Sequence, residues 1–296
     1  MHDASNEKSN YVAPGVQHKY DQTLVVFVSK TCNDICDWCF RSRLFNKNEH
    51  ENDQIADVSD VDNYLSEHPE IQSVLLTGGD SLLAEDDYLR KMIIVLNKHN
   101  LISIRFGSRV AIQKTESIRP LLLSVASWTK HKLYLVTHSV HADEVPDNFE
   151  SLIPNEFTCL NQTPVLKGIN DDPAILKNLV LKLTENNIEP YYFFQCRAIE
   201  GNEKYSLTFK EGYLLIEELK KRLSGIHKRF RYVMSCDVGK LEIISLSKSP
   251  DGVHLKYHQS KNSNEHGKID LVDMDAVWLN NNEEVFIADG KYSAIK

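Results

Sequence analysis

No stretch of this 296-residue chain approaches the ~18–20 consecutive apolar residues of a membrane-spanning helix, so no such segment is expected. An excess of basic charge is missing too. The formal net charge is −8, whereas nucleic-acid partners leave a basic footprint. The local runs Lys220-Lys221-Arg222 and His227-Lys228-Arg229, with Arg231 close behind, read as a solvated helix face and its exit. Only six cysteines are present and no second C-x2-C exists, which argues against a zinc site of paired ligands. The polar opening Met1-His2-Asp3-Ala4-Ser5-Asn6 has no signal-peptide apolar core, so a disulfide framework is not expected. The thiols are expected to stay reduced in a cytoplasmic setting. Internal repeats and long low-complexity linkers are also absent. What remains, at 42% hydrophobic content, is enough to bury one large core with an appendage. The first ten residues and Asn46–Asp53 are polar and are expected to be mobile.

Along the chain, apolar runs of strand length alternate with helix-length periodic segments, the pattern of a parallel sheet or barrel. Strands are predicted at Leu24–Ser29, Ser73–Thr77, Ile102–Phe106, Lys132–Thr137, Phe157–Thr163 and Tyr191–Cys196. Helices are predicted at Tyr88–Asn100, Asp172–Asn186 and about Leu207–Leu223. Asp171-Asp172-Pro173 supplies an N-cap and a proline at the first helical position. Six β/α units make an open, partial barrel over residues 24–225, after an N-terminal extension, 1–23. Beyond lies a C-terminal segment, 226–296, where a strand at Arg231–Ser235 precedes Glu242–Leu246, Val253–Tyr257, Ala276–Leu279 and Glu284–Ile287, read as a small appended sheet.

Chemistry in such an architecture belongs at the carboxyl ends of the strands, and the unusual motifs fall there. After the first strand come Cys32, Cys36 and Cys39 as C-x3-C-x2-C, with Trp38 just before the third. Three thiolates so spaced can hold three irons of a 4Fe–4S cube and leave the fourth open to a chelating small molecule. The competing readings are buried core cysteines and zinc. Gly78-Gly79-Asp80 ends the second strand: the glycines expose main-chain atoms to a ligand's amino group, and Asp80 adds an anionic acceptor. Arg109 follows the third strand, and His138 with His141 follow the fourth. Gln162 lies in the fifth and needs partners if buried. Gln195-Cys196-Arg197 ends the sixth. Arg41 and Arg43, just past the cysteine loop, offer planar forks suited to carboxylates. Lys240 follows Gly239, which would leave room for a close cofactor approach.

Taken together, these segments resemble the lysine 2,3-aminomutase family of radical S-adenosylmethionine (SAM) enzymes, over residues 11 to 215. The likeness includes Pro14-Gly15-Val16-Gln17-His18-Lys19-Tyr20, the cysteine loop and Leu75-Leu76-Thr77-Gly78-Gly79-Asp80. It continues through Ile104-Arg105-Phe106-Gly107-Ser108-Arg109, Thr137-His138-Ser139-Val140-His141, Asn161-Gln162-Thr163-Pro164 with Val165-Leu166-Lys167-Gly168-Ile169-Asn170-Asp171, and Pro190-Tyr191-Tyr192-Phe193-Phe194-Gln195-Cys196. The resemblance implies a partial (β/α)6 barrel of the radical SAM type that binds a 4Fe–4S cluster on Cys32, Cys36 and Cys39, and SAM on the open iron. It places Trp38, Gly78, Gly79, Asp80, Arg109, His138 and Gln162 around the cofactors. It implies pyridoxal phosphate (PLP) carried on Lys240, with Lys19 where the family has a first phosphate-holding arginine. Arg41 and Arg197 would then face the substrate. The family's activity is migration of an amino group from carbon 2 to carbon 3.

Several positions depart from the family. A second arginine expected near Thr23 is missing, only Gly239-Lys240 remains of a glycine-rich run, and Asp172 stands where longer relatives carry a zinc cysteine. Arg197 replaces an aspartate that contacts the ammonium of a lysine substrate, so an acidic or neutral substrate is expected. The leading reading is a PLP-dependent 2,3-aminomutase of an amino-acid-like small molecule. A hydrogen-abstracting epimerase, mutase or dehydrogenase without PLP, acting on a small molecule or peptide, is the alternative; a non-catalytic iron–sulfur protein is the third class. Expected partners are a reductant such as flavodoxin or ferredoxin and, in a homo-oligomer, further copies of the chain; neither nucleic acid nor membrane is among them.

Overall fold

The computed structural model describes residues 3–45, 50–248, 251–262, 265–281 and 283–295. Its strands are β1 (Tyr11–Ala13), β2 (Val16–Tyr20), β3 (Thr23–Ser29), β4 (Ser73–Gly78), β5 (Ser103–Gly107), β6 (Lys132–Thr137), β7 (Phe157–Val165) and β8 (Ile188–Gln195). They continue as β9 (Arg231–Cys236), β10 (Gly239–Lys248), β11 (Asp251–Ser260), β12 (Lys268–Val272), β13 (Trp278–Asn280), β14 (Glu283–Ala288) and β15 (Lys291–Ile295). The helices are α1 (Val58–Glu67), α2 (Asp86–Leu96), α3 (Val110–Gln113), α4 (Thr115–Trp128), α5 (Phe149–Leu152), α6 (Pro173–Glu185) and α7 (Phe209–Lys221). No described helix is long and apolar enough to cross a membrane.

Strands β1 to β12 form one sheet in sequence order. Neighbours from β3 to β9 pair in parallel, while β1–β2 and β10–β12 add antiparallel flanks. The order is linear, with β1 and β12 at the two edges, so the sheet does not close into a ring. The molecule is a mixed α/β fold on a large parallel sheet. The small C-terminal sheet expected from the sequence is only partly realised. β13–β15 form a separate three-stranded sheet, but β10–β12 extend the main one, because β10 turns back from β9 and pairs Lys240 with Ser235. Strands β1, β2, β12 and β15 were not expected; the polar Val16-Gln17-His18-Lys19-Tyr20 of β2 carries no clear apolar alternation.

The period-2 alternation of strands divides the sheet's faces. Leu24, Val26, Val74, Leu76, Ile104, Phe106, Leu133 and Leu135 pack into a core with α1, α2 and α4. Their neighbours Val25, Leu75, Arg105 and Tyr134 face a cavity and lie in register across β3 to β6. A second core joins α6 and α7 to β8–β12 and to Trp278 and Val285. Local signals hold the helices in place. Asp172 caps α6, its carboxylate accepting the Ala174 N–H at 2.6 Å, and Thr208 with Glu211 forms a capping box on α7. The basic end of α7 is a solvated face, with Lys220 on Glu217 and both Lys221 and Arg222 on Glu218.

The start of the chain departs from the mobile segment expected. Glu7–Asn10 forms a 3-10 turn, Ala4 is buried in the second core, and the Trp278 indole donates to the Ala4 carbonyl at 3.3 Å. Within the second polar segment, Asp53 is fully buried and paired with Arg43 at 2.9 Å; 46–49 lie outside the described residues.

Candidate active site

The cysteine loop leaves β3 and is fastened at its base by the loop after β4. The Gly79 N–H donates to the Ser29 carbonyl and the Asp80 N–H to the Thr31 carbonyl, both at 2.7 Å. Glycine is required there. A Cβ at Gly79 would lie 2.4 Å from the Thr31 oxygen, and one at Gly78, whose φ is +114°, would lie 2.3 Å from the Ser29 oxygen. These two amides are therefore engaged within the protein; a ligand's amino group would be accepted by main-chain carbonyl oxygens, not by N–H groups. Asp80 is engaged as well: its carboxylate accepts the N–H groups of Leu82, Arg109 and Val110 at 3.1, 2.7 and 2.8 Å. It ties the loop after β5 to the loop after β4.

Cys32, Cys36 and Cys39 are uncrosslinked and partly exposed. All three line a cavity of about 830 Å³ that follows the inner face of the sheet. Burial pushes the Cys32 thiol up to about 12, reinforced by Asp80 and the neighbouring thiols; burial also raises Cys36 and Cys39. Among the described residues, no three His, Cys, Asp or Glu side chains converge on a single metal ion. Arg109 reaches the loop, donating to the Cys36 sulfur at 3.2 Å and to Glu144 at 2.9 Å. The Trp38 indole donates to His138 Nε2 at 3.1 Å, and burial beside Arg109 lowers His138 to about 4, so its imidazole is neutral. Asn202 and Tyr205, in the turn before α7, hold the loop from the other side through the Trp38 carbonyl and Asp37; nothing in their sequence context signalled this.

Beyond the cysteines the wall is cationic. The Arg41 guanidinium pairs with Glu7 at 3.0 Å and donates to Thr77 at 3.2 Å. Arg197 lies over the Phe40 ring, 3.6 Å from its centroid, and 3.8 Å from Glu7. Arg43 also reaches Glu7, at 3.0 Å, but belongs mainly to buried Asp53. One carboxylate from the N-terminal turn thus faces three arginines, which hold its pKa well below the usual range against the opposing effect of burial. No sequence motif marked Glu7.

Lys240 stands on β10 with its ammonium over the rings of Tyr192 and Phe194, 4.2 and 5.8 Å from their centroids. No carboxylate among the described residues pairs with it. Burial, with Arg105, Arg197 and Lys19 nearby, lowers its pKa to about 7. Gly239 does not open space for a ligand. Its φ of +151° and the 2.2 Å from a Cβ to the Gln259 oxygen mark a hairpin packed against β11. Tyr192 hydrogen-bonds Tyr191 at 2.9 Å and His258 at 2.6 Å. Lys19 is committed elsewhere: its ammonium donates to the carbonyls of Cys236 and Ser5, and burial lowers its pKa to about 8.

The residues expected to hold the cofactors or face the substrate all line this one cavity: Lys19, Cys32, Cys36, Trp38, Cys39, Arg41, Gly78, Gly79, Asp80, Arg109, His138, Gln162, Arg197 and Lys240. Two other motif residues do not line it; Arg43 is buried, and His141 is half-buried and pairs with Asp143 at 3.3 Å. Glu7, Arg105, Tyr134 and Tyr191 line it as well.

No protein-family model matches the chain. Among curated proteins, it is 38% identical over 278 residues to a protein of Aquifex aeolicus (strain VF5) with a provisional L-lysine 2,3-aminomutase name, covering 90% of this chain and 73% of that one. It is 29% identical to the L-lysine 2,3-aminomutase of Buchnera aphidicola (subsp. Baizongia pistaciae, strain Bp) over 76% of this chain and 67% of that protein. Against the L-lysine 2,3-aminomutase of Clostridium subterminale it is 28% identical over 76% of its own length, spanning 55% of the relative. At these levels of identity and coverage, the chain belongs to the lysine 2,3-aminomutase family.

Proposed function

We propose that this chain is a radical SAM enzyme that moves an amino group within an amino-acid-like substrate: a PLP-dependent 2,3-aminomutase built on an open, partial (β/α)6 barrel. The observation that carries this reading is the convergence of the three cysteines, Arg41, Arg197 and Lys240 on one cavity. Three uncrosslinked thiols of one loop suit a 4Fe–4S cluster, whose ligands are spread over several irons and need not surround a single ion. A half-buried amine lowered to about 7 suits an aldehyde cofactor, because much of it is neutral at physiological pH. When bound, the cluster and SAM supply a hydrogen-abstracting radical, and PLP supplies the C=N bond across which nitrogen can migrate.

The chain's own residues supply orientation. Tyr192 and Phe194 set their ring faces against the Lys240 amine. Arg109 neutralises charge beside Cys36, and neutral His138 fixes the Trp38 indole. Arg41 and Arg197 give the substrate end of the cavity a positive wall that Glu7 only partly balances. Bringing a substrate ammonium to ~4 Å of Arg197 at an effective dielectric of ~20 costs about 4 kcal/mol, so the preferred substrate is acidic or neutral, a glutamate-like compound before lysine.

The test is anaerobic reconstitution with iron and sulfide, followed by reduction with SAM present and assay for 5′-deoxyadenosine. The wild type should cleave SAM, and the triple Cys32→Ala, Cys36→Ala, Cys39→Ala variant should not; cleavage by the triple variant would sink the reading. PLP is then supplied, trapped with borohydride and mapped. Label on Lys240, lost in Lys240→Ala, supports the aminomutase. The PLP-free alternative is favoured by one observation, the commitment of Lys19 to backbone carbonyls. SAM cleavage with no trapped label would select it.

A further inference from the structure

The cavity contains a further cationic side chain that the site residues above do not use. Arg105 is the third residue of β5, in register with Leu75 of β4 and Tyr134 of β6. Its strand neighbours Ile104 and Phe106 belong to the core, so the alternation of the strand turns Arg105 into the cavity, where it is part of the lining. An arginine at such a position is costly unless its donors are used. One is: Nη2 donates to the Thr23 hydroxyl at 3.3 Å. Its Nε is sealed from solvent with no partner. The ionisable groups that act on it are Tyr191, Tyr192 and Tyr134, and among the described residues no carboxylate pairs with it. Lys240 lines the same cavity, and of the charged residues Arg105 contributes most to lowering its pKa. Arg105 and the Lys240 amine therefore line one cavity, and no carboxylate among the described residues pairs with either. Buried polar atoms in native proteins are nearly always satisfied, and a planar guanidinium with free N–H groups is suited to an oxyanion.

We propose that Arg105 seats the phosphate monoester of the aldehyde cofactor carried by Lys240. This rests on the PLP reading above and names the anchor that reading lacked. Lys19, at the position expected for a phosphate holder, is occupied by backbone carbonyls, and Thr23, where a second arginine was expected, instead takes a hydrogen bond from Arg105. From β5, Arg105 lines the same cavity as Lys19. A substrate's distal carboxylate offers related oxyanion chemistry, and the test separates the two.

The probes are pyridoxine 5′-phosphate and pyridoxine, which lack the aldehyde and so bind without reacting with Lys240, together with glutarate. Affinities are measured by isothermal titration calorimetry on the full chain. The wild type should bind pyridoxine 5′-phosphate at least tenfold more tightly than pyridoxine. Arg105→Gln should erase that preference, while Lys240→Ala should leave it standing, so failure of the Lys240 reading does not decide this one. Should Arg105→Gln lose its native circular dichroism, Arg105→Lys decides. It should weaken the phosphorylated probe several-fold and leave pyridoxine unchanged. No phosphate preference in the wild type, a preference that survives Arg105→Gln, or one unaltered by Arg105→Lys overturns the proposal. Arg105-dependent binding of glutarate in place of pyridoxine 5′-phosphate also overturns it, and assigns the seat to substrate.

Discussion

Replacing Glu7 with glutamine should be among the most damaging single changes in this chain. The carboxylate lies 3.0 Å from Arg41, 3.0 Å from Arg43 and 3.8 Å from Arg197, and is nearly sealed from solvent. At ~3 Å and an effective dielectric of ~20, each of the two close contacts amounts to about 5 kcal/mol of gross attraction. Desolvation of the carboxylate offsets several kcal/mol of that, and Arg43 keeps Asp53 as a partner. Arg41 and Arg197 are left without the carboxylate that faces them. Breaking a buried pair by removing one partner costs about 3–5 kcal/mol, and that is the expected loss for Glu7→Gln in urea denaturation at pH 7. The dependence on pH gives an independent check. Because the folded-state pKa of Glu7 is lowered, its contribution is fully present above the unfolded carboxylate value. It declines as the pH falls below that value, toward the folded pKa. The difference between wild type and Glu7→Gln should therefore be constant from pH 7 to about 5 and shrink in more acidic solution. A Glu7→Gln protein within about 1 kcal/mol of wild type at pH 7, a typical exposed-pair value, would refute both the packing of the N-terminal turn and its role as counter-ion.

Lys240, lowered to about 7, should react with trinitrobenzenesulfonate faster than the exposed lysines at pH 7.5, with a rate that rises through pH 7 and levels above it; labelling no faster than a surface lysine such as Lys91 argues against the buried amine. Gly79→Ala should cost about 1–3 kcal/mol through overpacking and reduce cluster loading, read from iron content and the visible spectrum, since its Cβ would meet the Thr31 oxygen. Glutamate or a close relative should be turned over in preference to lysine, measured by product chromatography; efficient turnover of lysine alone contradicts the substrate role given to Arg197. Single alanine replacements of Cys159, Cys196 and Cys236, which are buried and lie outside the C-x3-C-x2-C motif, should leave cluster content unchanged.

The local sequence determined those features whose physical cause is local. The six predicted parallel strands and the helices capped by Asp172 and Thr208 follow from alternation, periodicity and side-chain caps within a few residues. The placement of the cysteine loop, Arg109, His138 and Arg197 beyond strand ends follows from order along the chain, and these residues do share a cavity. Tertiary structure decided what depends on distant partners. Only packing shows that Gly78 and Gly79 serve the close approach of two loops, or that Asp80 is consumed by three amides. The same is true of the course of β10–β12, which depends on a hairpin at Gly239 that returns the chain to the edge of the main sheet. Glu7 and Arg105 make the point most directly. One is a carboxylate in a polar start of the chain, the other an arginine inside an apolar strand. The charge each one meets, or fails to meet, is set by residues far away in sequence, and no local pattern encodes that.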